Sequence, residues 1–195
     1  GAGYQPAGSI NLADQLIDIS SHPALSELGR AAGLCNDASL RLHEDVWTVE
    51  GDPMEGALLA FSGKAGIDSD EDHRTWPRSD AIPFDAKHRF MATLHHNHNR
   101  HASIYVKGAP EQILAMSTRQ FVTDGVTEPL NADYWYEQAN TIAAKGQRVL
   151  AFAARSVQPE HTVLEFGDVQ GKLTLLGMVG LIDPPRPETI KAVQQ

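Results

Sequence analysis

Phe84, Arg89 and Lys107 are the side chains of this sequence whose chemistry asks for a ligand. They lie in Ile82-Pro83-Phe84-Asp85-Ala86-Lys87-His88-Arg89-Phe90-Met91-Ala92-Thr93 and Ser103-Ile104-Tyr105-Val106-Lys107-Gly108-Ala109-Pro110-Glu111. An aromatic face offers stacking to a base, worth about 1–3 kcal/mol, and two fixed cations offer charge to phosphates. Gly108 follows Lys107, and a residue without a side chain lets a ligand approach the backbone. The plainer readings are a core phenylalanine and a surface lysine before a strand-to-helix turn. No Gly-rich phosphate loop occurs in the chain, so a self-contained nucleotide hydrolase of that kind is excluded and side chains must hold any phosphate.

A second group with chemistry is His95, His96, His98 and His101, four of nine histidines. Imidazoles at this spacing could ligate Zn²⁺ or Cu²⁺ in a His-rich metal-binding module. His95 and His96 would point apart on a strand, however, and no Cys or carboxylate completes the set, which favours a solvated hairpin tip. Asp68, Asp70, Glu71 and Asp72 lack a Ca²⁺-loop pattern, so Ile67 to Asp72 is expected to be a solvated acidic loop. No metal site is expected. Cys35, in an apolar run, reads as a buried thiol.

These residues need elements to position them. The stretch from Ile82 to Gly108 reads as a strand, a polar tip and a returning strand that steps into a helix at Ala109 to Met116, with Phe84 on the face of Ile82. A helix is expected from Pro23 to Gly33, with Leu25, Leu28, Ala31 and Ala32 at helical spacing. Leu40 to Glu50 fits one or two short strands. Asp52 as N-cap and Pro53 as first residue start a second helix that stops near Gly63 or Gly66. Asp124-Gly125 marks a hairpin between Arg119 and Thr127. From the N-cap Asn131, an apolar stripe of Trp135, Ala139, Ile142 and Ala143 runs to a close at Lys145-Gly146, and Arg148 opens a strand. A final strand, Leu173 to Ile182, meets Asp183-Pro184-Pro185, where prolines stop the sheet and mark a hinge. Residues 188–195 read as the first turns of a helix. Short turns between strands predict an α+β fold, an antiparallel or mixed β-sheet flanked by helices.

Composition narrows the function. With 42% hydrophobic and 21% charged residues, the 195-residue chain has the makeup of a folding domain. A formal charge of −9 opposes long-range attraction to nucleic acid and anionic membranes, yet a few local cations can still hold a small anion, because distant charge is screened over about 8 Å. No run approaches about 18 apolar residues and the start lacks the basic and apolar regions of a signal peptide, so the chain is expected to be soluble; its single cysteine cannot form an internal disulfide, which suits a reducing compartment.

Five stretches, in order, carry a family resemblance: Leu34-Cys35-Asn36-Asp37-Ala38, Gly51-Asp52-Pro53-Met54-Glu55-Gly56-Ala57-Leu58, Ile82-Pro83-Phe84-Asp85 with Arg89-Phe90-Met91, Lys107-Gly108-Ala109-Pro110-Glu111 and Asp183-Pro184-Pro185-Arg186. Together they resemble the nucleotide-binding domain of P-type cation-transporting ATPases, in the branch of the calcium, sodium/potassium and proton pumps. The resemblance implies a nucleotide-binding domain at 1–182, with the hinge and the start of the phosphorylation domain at 183–195. Phe84 matches the aromatic that stacks on adenine and Glu55 the carboxylate that accepts from the adenine amino group. Lys107 matches the pocket lysine, with Gly108 beside it, and Arg148, in Gly146-Gln147-Arg148-Val149-Leu150, resembles the arginine that reaches the phosphates. Arg89 stands where the family usually has lysine, and Met54 replaces a common threonine.

The family's phosphorylated Asp-Lys-Thr-Gly-Thr motif, its magnesium motifs and its transmembrane helices do not occur in these 195 residues. The resemblance therefore implies a domain that delivers ATP, holding adenosine here while the γ-phosphate reaches an aspartate on another domain. No residue of this stretch is expected to be catalytic or to turn over ATP by itself. Mg²⁺ would be held largely by other domains. The implied partners are ATP and the phosphorylation and actuator domains of the same parent chain, on the cytoplasmic side of a membrane pump, with the isolated domain monomeric.

Overall fold

The computed structural model describes residues 3–122 and 126–182. Two-residue strands β1 (Asn11–Leu12) and β2 (Gln15–Leu16) precede α1 (Pro23–Leu34). The hairpin of β3 (Ser39–His43) and β4 (Val46–Glu50) leads to α2 (Pro53–Lys64) and α3 (Ser69–Thr75). Then follow β5 (Arg78–Asp85), β6 (Phe90–His96), β7 (Ala102–Gly108), α4 (Pro110–Met116), β8 (Ser117–Phe121) and β9 (Thr127–Pro129). The chain continues through α5 (Ala132–Ala143), β10 (Arg148–Val157), α6 (Phe166–Val169) and β11 (Leu173–Leu181).

Seven of these strands form one sheet in the order β5-β6-β7-β10-β11-β8-β9, antiparallel except where β11 runs parallel to β8. This is the expected mixed sheet flanked by helices. Alternation along the central strands sorts side chains onto two covered faces. Phe90, Ala92, Leu94, Ile104, Val106, Ala151 and Ala153 point one way and pack with Ile113 and Leu114 of α4. Met91, Tyr105 and Phe152 point the other way, onto Leu28, Ala31, Ala32 and Leu34 of α1 and Leu58 of α2. Each large side chain so buried stabilises the fold by about 1.5–3 kcal/mol.

The local start signals hold. Asp52 Oδ1 accepts from the Met54 and Glu55 amides at 2.8 and 3.3 Å, ahead of Pro53. Asn131 Oδ1 accepts from the Tyr134 amide at 3.2 Å, and Gly146 takes the left-handed φ of +75° just past α5. Of the stripe on α5, Ala139 is buried, Trp135 and Ile142 are half-buried and Ala143 is exposed. Helix α1 runs one residue past Gly33.

Four expectations change. The chain reverses at 86–89 as well as at the histidine tip, so the first arm is two strands. Asp85 Oδ1 accepts from the Lys87 and His88 amides at 2.7 and 3.3 Å, and Arg89 adopts φ +55°, which closes a tight turn. Ile82 and Phe84 do not share a face. Three steps from Ile82 to Asp85 match two from Ala92 to Phe90, a bulge that buries Ile82 and turns Phe84 outward, 64% exposed. The acidic stretch after Ile67 is not a loop, because Asp68 caps α3 by accepting from the Glu71 amide at 3.0 Å. Carboxylates in that first turn suit the positive end of the helix. The short helix α6, closed by a reciprocal Glu165–Asp168 capping box, has no counterpart in the sequence reading. Strands β8 and β9 pair as expected, while Asp124-Gly125, the hinge Asp183, Pro184, Pro185 and residues 188–195 lie outside the described residues. Among the described residues no helix is long and apolar enough to cross a membrane.

Candidate functional site

Glu55 sits in the first turn of α2, placed there by the Asp52 cap and Pro53. Its Oε1 lies 2.5 Å from Lys107 Nζ, and its Oε2 accepts from the Asp37 amide at 3.1 Å. The two side chains are only 17% and 9% exposed. A pair this buried tolerates loss of one partner poorly, since the charge left behind costs about 3–5 kcal/mol.

Lys107 is paired in register with Met91 on one side and Phe152 on the other, which places it on the face covered by α1 and α2. Because Asp85 pairs with Phe90, the bulge turns Phe84 to that same face, at its open edge. One face of the sheet thus presents Phe84, Met91, Lys107 and Phe152 on four neighbouring strands. Arg148, the first residue of β10, places Nη1 2.8 Å from the Met54 sulfur, so its guanidinium lies at the end of α2 that carries Glu55. Phe84, Glu55, Lys107 and Arg148 are therefore gathered at one end of one face.

Arg89 and Gly108 do something else. Arg89 Nη1 lies 2.5 Å from Glu111 Oε1 in the first turn of α4, with both side chains half exposed, so its charge already has a carboxylate partner. At Gly108 an added Cβ would meet the Arg89 carbonyl oxygen at 2.5 Å and Phe90 Cβ at 2.8 Å. The missing side chain makes room for the neighbouring strand, and the Ala109 amide donates to that same carbonyl at 3.0 Å. Close packing of the neighbouring strand requires a glycine here.

Three residues at the site went unassigned in the sequence: Asn36, Asp37 and Arg78. The 34–38 stretch stood out there only as one of the five matched segments. Cys35, within it, is fully buried with its Sγ 3.7 Å from the Met91 carbonyl oxygen. Burial pushes its thiol pKa up, against the opposing pull of the Lys107 charge.

The histidines diverge. His95 is buried, its Nδ1 2.9 Å from the Trp76 carbonyl oxygen, so it belongs to the core and not to a solvated tip. Burial pulls its pKa down to about 4. His96 contacts Ser79 Oγ at 2.7 Å and the Pro159 carbonyl oxygen at 3.1 Å. Among the described residues no three His, Cys, Asp or Glu side chains gather into a metal cage. Two surface recesses, of about 620 and 630 Å³, lie along the β3–β4 hairpin and between it and α3. Neither is lined by Phe84, Glu55, Lys107 or Arg148, so converging charges and an outward ring, not cavity volume, mark the site.

The description of P-type ATPase cytoplasmic domain N matches residues 24–188. The chain is 39% identical to the cation-transporting ATPase pma1 of Synechocystis sp., an alignment covering 99% of this chain and 22% of that protein. It is 30% identical to a calcium-transporting ATPase of Bacillus subtilis, covering 100% of this chain and 22% of that one. Against human calcium-transporting ATPase type 2C member 1 the identity is 31%, over 99% of this chain and 20% of the relative. The chain spans about a fifth of the length of these curated relatives.

Proposed function

The chain belongs to the P-type ATPase cytoplasmic domain N family, and from that membership we propose that it binds ATP and presents it to another part of a cation-transporting parent chain. The observation that carries this reading is the buried Glu55–Lys107 pair on the face to which the bulge turns an exposed Phe84. An exposed ring at the edge of a face offers adenine a stacking platform. Glu55, which can only accept when ionised, suits the base's amino group. Lys107 adds an ammonium beside it, and Arg148 a guanidinium toward the phosphates.

Arg89 would join them only by leaving Glu111, and a half-exposed pair is worth no more than about 1 kcal/mol. Gly108 shapes the pocket wall by letting β6 and β7 close together. Transfer of the γ-phosphate needs an aspartate from another domain, and Asp183-Pro184-Pro185 would belong to the hinge on which delivery turns. Mg²⁺ would arrive on the phosphates and be held largely by other domains.

Calorimetric titration with ATP tests this. Phe84→Ala should weaken binding by about 1–3 kcal/mol, or about 5- to 150-fold, with the circular dichroism spectrum unchanged because the ring is outside the core. Equal affinity in a folded variant would remove the stacking role.

A further inference from the structure

Arg78, which opens β5, holds the loop between α1 and β3 from 41 residues away in sequence. Its Nη1 lies 2.6 Å from Asp37 Oδ1, and its Nη2 donates to the carbonyl oxygens of Asn36 at 2.6 Å and Leu34 at 3.3 Å. The Arg78 side chain is 28% exposed. The loop in turn grips Glu55. Buried Asn36 donates through Nδ2 to the carbonyl oxygens of Ala32 and Glu55, both at 3.0 Å, while its Oδ1 accepts from the Ala38 amide at 2.9 Å. The Asp37 amide donates to Glu55 Oε2 at 3.1 Å.

We propose that Arg78 is a positioning residue that sets base selectivity, an inference that rests on the ATP-binding reading above. By pinning the loop it keeps the Asp37 amide on Oε2, which fixes the plane and rotamer of the Glu55 carboxylate. A fixed acceptor favours a purine carrying an amino group at its six position and repels one carrying a carbonyl there, because two acceptors then face each other. When the loop is released, Glu55 keeps Lys107 on Oε1, but its carboxylate plane is free to turn about that contact and the preference between the two bases narrows. The planar fork matters as well as the charge, since one ammonium cannot reach three acceptors in the same plane.

The test compares ATP with ITP, which differ in that amino or carbonyl group, by titration calorimetry. A purely structural fault weakens both nucleotides together and leaves their affinity ratio alone. Wild type should prefer ATP. Arg78→Ala should lower the ratio about tenfold, and Arg78→Lys, the milder variant should the first fail to fold, by a smaller factor. Glu55→Gln should also erase the preference, and adding Arg78→Ala to it should lower the ratio no further. A folded Arg78→Ala or Arg78→Lys with the full wild-type ratio, where Glu55→Gln has lost it, overturns the role of Arg78 alone. A wild type with no preference between the two nucleotides overturns the reading of Glu55 and this inference with it.

Discussion

His95 shows how burial rewrites a residue's chemistry. Loss of water is the main reason its pKa falls to about 4, and the charges of Arg78, His73 and His96 push the same way against the bond to the Trp76 carbonyl. In the unfolded chain the same imidazole takes its proton near pH 6.5. Between those values the unfolded state binds more protons than the folded one, so stability falls as pH drops from about 6.5 toward 4, by up to about 3 kcal/mol. Urea unfolding at pH 7.5 and pH 5 should show this loss in wild type. His95→Asn keeps an N–H for Trp76 and does not titrate, so it should lose less over the same interval. Identical losses in the two proteins would contradict the assignment. What the sequence could not reveal about His95 is that strand β6 has both faces covered, a long-range fact that alternation alone does not carry.

At the scale of elements, chemistry that is local was legible and chemistry that depends on pairing was not. Asp52-Pro53 and Asn131 announce helix starts because a cap is satisfied within three residues. Asp68 obeys the same rule with Glu71, yet its acidic neighbours obscured the signal. The Ile82–Asp85 bulge and the turn at 86–89 depend on how β5 meets β6, and those two features decide that Phe84 faces outward. Gly108 was legible as a special position, but its reason lies in the Arg89 carbonyl across the ladder. Gly108→Ala should therefore destabilise the domain by about 1–3 kcal/mol through overpacking, read as a lower urea midpoint. An unchanged midpoint would mean that β6 and β7 can part without cost.

Across the whole molecule, one sheet face does two jobs. Met91, Tyr105 and Phe152 of that face anchor α1 and α2, and Lys107, in the same cross-strand row as Met91 and Phe152, meets Glu55 of α2, with Phe84 on the edge strand. Packing the helices and assembling the candidate site are thus the same event. The ordered resemblance made Phe84, Glu55, Lys107 and Arg148 legible as a set. The support from Arg78 and the 34–38 loop was not, because backbone carbonyls and amides carry no residue type. The net charge of −9 leaves selectivity to such local groups.

Backbone amide NMR of the ¹⁵N-labelled chain during ATP titration tests the central claim most directly. The amides of Asp37, Glu55, Phe84, Lys107, Gly108 and Arg148 should shift together along one saturable curve. Shifts confined to the hairpin recess around Trp47 and Leu59, with those six amides unmoved at saturation, would contradict it.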